Sequence, residues 1–253
     1  MQINQVKALV TGGVSGLGLA VARHIIANGG KAVLLDINDE AGAAAEAELG
    51  APYIRTDVTS EEGVTASAEQ AAAVNGGLNV AMNCAGIVGA GRVLGREAPM
   101  PLSFFSNIIN VNLIGSFNVA KAAANVMQHN EPGEDGERGV IMNTASVAAY
   151  EGQIGQAAYS ASKGGIIGMT LPMARELALF GIRVMTIAPG IFWTPMVDGM
   201  PEHIQESLAA SIPFPSRLGK AEEFADIAAG IIQNTYLNGT TIRLDGAVRL
   251  APK

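Results

Sequence analysis

Tyr159 and Lys163, in the run Y-S-A-S-K, lie four positions apart, which puts a phenol and an ammonium on one face of any helix that carries them. A free tyrosine titrates at about 10, so it exchanges a proton near neutrality only with positive charge close by, which Lys163 would supply. Ser146 follows a predicted strand and can bring its hydroxyl to the same substrate oxygen, orienting it and stabilising charge that develops there. Upstream, Thr11-Gly12-Gly13-Val14-Ser15-Gly16-Leu17-Gly18 joins a predicted strand to a predicted helix. Glycines allow a tight turn and close approach of backbone to a pyrophosphate, whose charge is favoured by free N–H groups at a helix start. Asp36 ends the next predicted strand, where a carboxylate accepts from a ribose diol and repels a 2′-phosphate, favouring NAD over NADP. Arg23 and Lys31 flank the region, but neither follows that strand directly, where a phosphate clamp belongs.

Further candidates lie at predicted strand ends, where open α/β sheets bind ligands. Asp57 and Val58 are placed for an adenine; Asn83, Ala85 and Gly86 follow the fourth strand, with Asn83 able instead to tie down backbone. Gln156, one helical turn before Tyr159, faces either substrate or solvent. Cys84, the one cysteine, excludes an internal disulfide framework and a cysteine-rich zinc site; it fits a reducing compartment and a small packed side chain. His24, His129 and His203, the last on a helix after Pro201, have no second ligand at metal spacing, so no metal is expected.

These residues need a frame, and hydrophobic periodicity supplies one. Strands are predicted at Val6–Thr11, Lys31–Asp36, Tyr53–Thr56, Leu78–Asn83, Val140–Thr144, Ile182–Ala188 and Thr240–Leu244. Helices are predicted at Gly16–Asn28, Asp39–Leu49, Ser60–Val74, Ser103–His129 and Gln156–Phe180. Alternation of this kind requires parallel pairing through right-handed crossovers, giving an α/β, single-domain, doubly wound Rossmann fold with a seven-stranded parallel sheet flanked by helices on both faces. Pro172 violates the helix rule, but the residue four back is Gly168, so a kink is expected rather than a break. Three long connections remain, 86–102, 130–139 and 189–220; the first and last are substrate-loop candidates, and the charged middle one reads as a solvated turn.

Composition limits the alternatives. With 253 residues, 49% hydrophobic and 15% charged, the chain can build one deep core and is too apolar for disorder. A net charge of −7 argues against nucleic acid. The 31 glycines lack a Gly-X-Y period, and the ten methionines are scattered as packing residues. No window of about eighteen residues is both uncharged and strongly apolar, so no membrane span is expected. The start has neither a signal nor an Arg-rich presequence pattern, and a cytoplasmic location is expected, with the mitochondrial matrix as the alternative.

Thr11–Gly18, Asn83-Cys-Ala-Gly86, Val111-Asn112, Ser146, Tyr159-x-x-x-Lys163 and Pro189-Gly190 together resemble the short-chain dehydrogenases/reductases, in order and over essentially the whole chain. Within that family, Asn143–Gly165, Met169–Pro172, Pro213–Gly219 and Leu237–Gly246 resemble the branch acting on 3-hydroxyacyl-CoA. The resemblance implies a tetrad of Asn112, Ser146, Tyr159 and Lys163, with Tyr159 as acid or base. Lys163 would lower its pKa and hold the nicotinamide ribose, and Asn112 would anchor a water joining Lys163 to solvent. It implies contacts to NAD also from Pro189, Gly190, Phe192 and Thr194, substrate contact at Trp193, an acyl-CoA or similar alcohol or carbonyl substrate, hydroxysteroids among them, and a homotetramer. The segment 86–102 and Trp193 depart from the branch pattern, which leaves the chemistry in place and bears on the substrate. Two other readings stay open: a 3-oxoacyl-(acyl carrier protein) reductase, against which Asp36 counts, and a non-catalytic assembly subunit, against which the intact tetrad counts.

Overall fold

A computed structural model describes residues 1–193 and 201–252, with Ile204 by its backbone alone. Seven strands form one sheet: β1 (Lys7–Thr11), β2 (Lys31–Asp36), β3 (Tyr53–Arg55), β4 (Val80–Asn83), β5 (Gly139–Thr144), β6 (Ile182–Pro189) and β7 (Thr241–Leu244). Their order is β3-β2-β1-β4-β5-β6-β7, every pair parallel, as the alternation of strands and helices required. The order reverses between β1 and β4, and the crevice at their carboxyl ends is where such sheets bind ligands.

Around the sheet lie α1 (Gly16–Ala27), α2 (Asp39–Leu49), α3 (Glu61–Asn75), α4 (Leu102–Ile109), α5 (Gly115–Met127), α6 (Ala157–Leu177), α7 (Glu202–Ala210) and α8 (Ala221–Gln233). The strands are apolar at successive positions because both faces are covered. Val10, Leu34, Met82 and Met185 pack beneath α1 and α8 with Ile25, Phe224 and Ile231. Their neighbours Leu9, Val33, Ala81 and Val184 face α3 and α5 with Val64, Val119 and Met127. Helix starts are satisfied locally: Asn38 Oδ1 accepts from Ala41 N and Ser60 Oγ from Gly63 N, both at 3.1 Å. No described helix is long and apolar enough to cross a membrane.

Three features depart from the sequence pattern. The helix expected over 103–129 is divided by a π turn at Asn110–Ile114, between α4 and α5. The stretch after β6 carries two helices, of which the pattern anticipated only the one after Pro201. By contrast, α6 runs through Pro172 without a break, as expected. The 130–139 turn is not wholly solvated, since Glu137 is buried and its carboxylate pairs with Arg183 at 2.7 Å. Arg183 also donates to the carbonyls of Ile231, Ile232 and Leu237, so it fixes the end of α8 to β6 and its charge needs the partner Glu137 provides.

Candidate active site

The reacting residues converge from three elements. β5 ends at Thr144, and its carbonyl accepts from Lys163 Nζ at 2.7 Å. Lys163 is 5% exposed on α6, and its Nζ lies 5.8 Å from the centroid of the Tyr159 ring one turn earlier. Ser146, two residues past β5, is buried; its Oγ accepts from Ala148 N at 3.1 Å, which turns the hydroxyl toward the phenol. Burial pushes the Lys163 ammonium down to about 8. The Tyr159 phenol is raised by burial, opposed by its hydrogen bond with Ser146. Within the chain alone desolvation dominates, with Ser146 opposing it; the lowering expected of Tyr159 relies on positive charge from Lys163 together with an oxidised nicotinamide ring.

Asn112 sits within the π turn, fully buried. The wide turn aims its amide at the loop after β4 and at α6: Oδ1 accepts from Ile87 N at 2.8 Å, and Nδ2 donates to Ile87 O at 2.9 Å and Ser162 Oγ at 3.0 Å. Its side chain is a brace. Its carbonyl accepts from Ser116 Oγ at 2.7 Å. Gly86 faces this cluster; a Cβ there would lie 3.1 Å from Asn112 Oδ1 and 3.6 Å from Lys163 Nζ.

The glycine turn has the form a pyrophosphate requires. Gly12 and Gly16 have φ of 62° and 51°. A Cβ at Gly12 would stand 2.8 Å from Ala85 N, and one at Gly18 2.3 Å from the Gly12 carbonyl, so turn and helix pack backbone to backbone. At Gly16 a Cβ would meet nothing within 4 Å. Ser15 caps α1 without a side-chain bond to it, and Leu17 stands in the first turn, so the leading N–H groups face that open space. Asp36 Oδ1 accepts from Ile37 N at 2.8 Å and Asn38 N at 3.1 Å. Oδ2 has no partner among the described residues and is available to a diol. Asp57 is held below the usual carboxylate range by the Thr59 hydroxyl and N–H, its Oδ1 accepting both. Val58 packs on Gly115, and its carbonyl accepts from Asn118. These residues fit a dinucleotide.

Other candidates serve the frame. Asn83 Nδ2 donates to Asn143 Oδ1 at 2.8 Å and Ser116 O at 3.2 Å, so it ties β4 to β5 and α5. Ala85 N donates to Thr11 Oγ1 at 3.2 Å. Cys84 is packed beside Thr144, and burial pushes its thiol up to about 11. Gln156 Oε1 accepts from Gln153 N at 2.9 Å, so its oxygen caps the turn before α6 rather than reaching for substrate. Pro189 ends β6, and Gly190 N donates to Leu244 O at 2.9 Å with no room for a Cβ beside Asp245. The Phe192 ring turns into the core edge-on to Phe224, centroids 6.3 Å apart, which leaves only its backbone for a ligand. Trp193 is half exposed on the wall of a cavity of about 590 Å³ shared with α7. Thr194 lies outside the described residues. Arg23 pairs with Glu48, and Lys31 is turned to Asn75 O. No group of metal-ligating side chains occurs among the described residues.

Sequence reasoning missed Thr144, Ser162 and Ile87, which hold Lys163 and Asn112, and the cation nearest Asp36. Arg55 is Asp36's register partner on β3, and its Nε pairs with Asp39 at 3.2 Å. Tyr53 beneath them donates to a carboxylate oxygen of Asp39 and lies against the Asp36 carbonyl, each at 3.0 Å. Thr144 and Ile87 act through main-chain atoms, so their side-chain types carried no signal.

Residues 6–205 match the family model described as short chain dehydrogenase. The chain is 53% identical to 3-hydroxyacyl-CoA dehydrogenase type-2 of Bos taurus and 51% identical to that of Homo sapiens, each over 97% of this chain and 95% of the relative. The crystal structure of 3-hydroxyacyl-CoA dehydrogenase type-2 from Mycobacterium avium is similar with a TM-score of 0.93 and 45% identity, covering 97% of this chain and 96% of that one.

Proposed function

The chain belongs to the short-chain dehydrogenases and is an oxidoreductase, and from that premise we propose that it interconverts 3-hydroxyacyl-CoA and 3-oxoacyl-CoA with NAD. The substrate class comes from the names of the relatives; the coenzyme comes from Asp36 and its open Oδ2. Bound NAD supplies the hydride acceptor for oxidation and, once reduced, the donor for the reverse reaction. The turn from Gly12 to Gly18 and the start of α1 would hold its pyrophosphate, Asp36 the adenosine ribose, Asp57 and Val58 the adenine, and Ala85, Gly86, Pro189 and Gly190 the nicotinamide end.

Tyr159 takes the substrate hydroxyl proton in oxidation and returns it in reduction. Its phenol, raised by burial, needs positive charge to work in the first direction. Lys163 provides it, with one N–H spent on Thr144 and two free for the nicotinamide ribose. Ser146 orients the substrate oxygen beside the phenol. Asn112 fixes the Ile87 loop against α6 and would anchor the water that joins Lys163 to solvent.

The single observation that carries this reading is a buried ammonium, held by a strand-end carbonyl, one turn from a tyrosine that shares a hydrogen bond with Ser146. Replacing Tyr159 by Phe tests it. Acetoacetyl-CoA-dependent NADH oxidation should fall by a factor on the order of 10² to 10⁴, while NADH still binds by fluorescence titration. Retained turnover would remove Tyr159 from the chemistry. We also propose a cytoplasmic homotetramer; Ile114, Phe117 and Leu171 expose apolar surface on α5, α6 and the π turn, and sedimentation measures the state.

A further inference from the structure

The connection from β4 to α4 contains a small built element. Met100 N donates to Val93 O at 3.0 Å and Gly95 N to Ala98 O at 3.1 Å, closing a hairpin around the Leu94–Pro99 bridge. It sits on α4 where glycine is required: a Cβ at Gly89 would lie 2.6 Å from Ile108 Cδ1, and one at Gly91 3.1 Å from the Phe104 ring. Gly91 N donates to Gly155 O at 2.8 Å, which fastens the hairpin to the turn leading into Tyr159. The hairpin therefore adjoins the segment that carries Tyr159, with Arg92 roughly 10–15 Å along the backbone from it.

On it lie two cations with nothing to do within the fold. Arg92 and Arg96 are exposed and line a cavity of about 450 Å³ with Met100 and Phe104. Among the described residues neither donates a hydrogen bond nor pairs with a carboxylate. The other arginines all do so except Arg175, which is sixteen residues from Tyr159 on α6, about 24 Å along that helix. Among the described residues Glu97 is the one carboxylate lining the cavity, so the described charged residues there sum to positive in a chain of net charge −7. Guanidinium groups exposed in such a cavity match phosphate, which they bind through paired N–H donors.

We propose that Arg92 and Arg96 form an anion subsite that receives phosphate groups of the nucleotide in an acyl-CoA, and so select the coenzyme A thioester over one lacking the nucleotide. The proposal rests on the thioester reading above and deepens it. A pantetheine arm spaces the acyl carbonyl from the phosphates by a distance of the same order as that from Tyr159 to the hairpin. The free guanidinium groups would also draw an anionic substrate toward the cleft of an acidic protein.

The test compares KM for acetoacetyl-CoA and for acetoacetyl-N-acetylcysteamine, the same reacting group without phosphates, at saturating NADH. Combining Arg92→Ala with Arg96→Ala should raise KM for the CoA thioester at least tenfold, about the loss of one charge-assisted hydrogen bond. Its kcat, and KM for the short thioester, should not change. Arg92→Lys with Arg96→Lys should recover most of the loss, and Arg175→Ala should have no effect. The wild-type KM for acetoacetyl-CoA should climb with salt more steeply than that of the double alanine variant. An equal change for both thioesters, or none for either, overturns the subsite while leaving the substrate reading in place. If wild-type enzyme reduces neither thioester, the substrate reading fails and the subsite fails with it.

Discussion

Lys163→Met should abolish turnover and stabilise the protein, with a stabilisation that disappears in alkali. Burial holds the Lys163 ammonium at about 8 against an ordinary 10.5. That gap corresponds to about 3 kcal/mol. Below about pH 8, folded and unfolded chains both carry the proton and the fold bears the whole penalty. As pH rises from 8 toward 10.5 the unfolded chain still binds the proton while the folded one releases it, so stability rises; above 10.5 the penalty is gone. Methionine keeps the length of the side chain and removes the charge, but leaves the Thr144 carbonyl without its donor, at a cost of about 1 kcal/mol.

The net gain at pH 7 is thus about 2 kcal/mol, or a rise in Tm of roughly 4–8 °C for a chain of this size. At pH 10 the remaining penalty is about 1 kcal/mol, which the orphaned carbonyl cancels, and the two proteins should melt together. Thermal unfolding at both pH values, alongside NADH oxidation with acetoacetyl-CoA, gives the two readouts. A variant no more stable than wild type at pH 7, or one with the same advantage at pH 10, would show that Lys163 carries no buried-charge penalty and refute the reasoning.

Four other substitutions probe the frame. Asp36→Ser should cut a preference for NADH over NADPH that we place at about a hundredfold in kcat/KM. Adding Asp39→Asn should cut it further by freeing Arg55 for the 2′-phosphate; steady-state kinetics with both coenzymes decides. Gly18→Ala would set a Cβ 2.3 Å from the Gly12 carbonyl, so NADH affinity in a fluorescence titration should weaken more than tenfold, about 1.4 kcal/mol or more, and an unchanged Kd would deny the turn its role. Glu137→Leu should destabilise by about 3–5 kcal/mol, seen in urea unfolding, because Arg183 is left buried without its carboxylate.

Much of the frame was legible because its signals are local. Apolar runs of strand length, separated by helices, dictated seven parallel strands, and Gly12 to Gly18 marked the turn because backbone contact there admits no side chain. What escaped depends on partners distant in sequence. The π turn exists where Asn112 bonds Ile87 and Ser162, and neither residue marks it locally. Glu137 looks like one more charge in a polar turn until β6 brings Arg183 against it. The ring of Phe192 packs on Phe224 and Gln156 Oε1 takes a bond from Gln153 N, contacts that neither family position nor helical spacing announces. Burial escaped for a similar reason: spacing along a helix fixes the face that Tyr159 and Lys163 share, but the desolvation that raises the phenol is a property of the whole fold.

The same contrast explains how chemistry and substrate range can vary separately. Ser146 follows the end of β5, Thr144 at that end holds Lys163, and Lys163 stands one helical turn from Tyr159, so one strand against one helix fixes the reacting geometry. The hairpin bearing Arg92 and Arg96 meets the turn before that helix through a single backbone hydrogen bond, from Gly91 to Gly155, and otherwise rests on α4. A hairpin attached this way can change length and charge without shifting the phenol or the ammonium. Differences in substrate between this enzyme and its relatives should therefore map to residues 88–100 and to the wall around Trp193, and grafting that hairpin from a relative should alter KM across thioesters while leaving kcat for the smallest one unchanged.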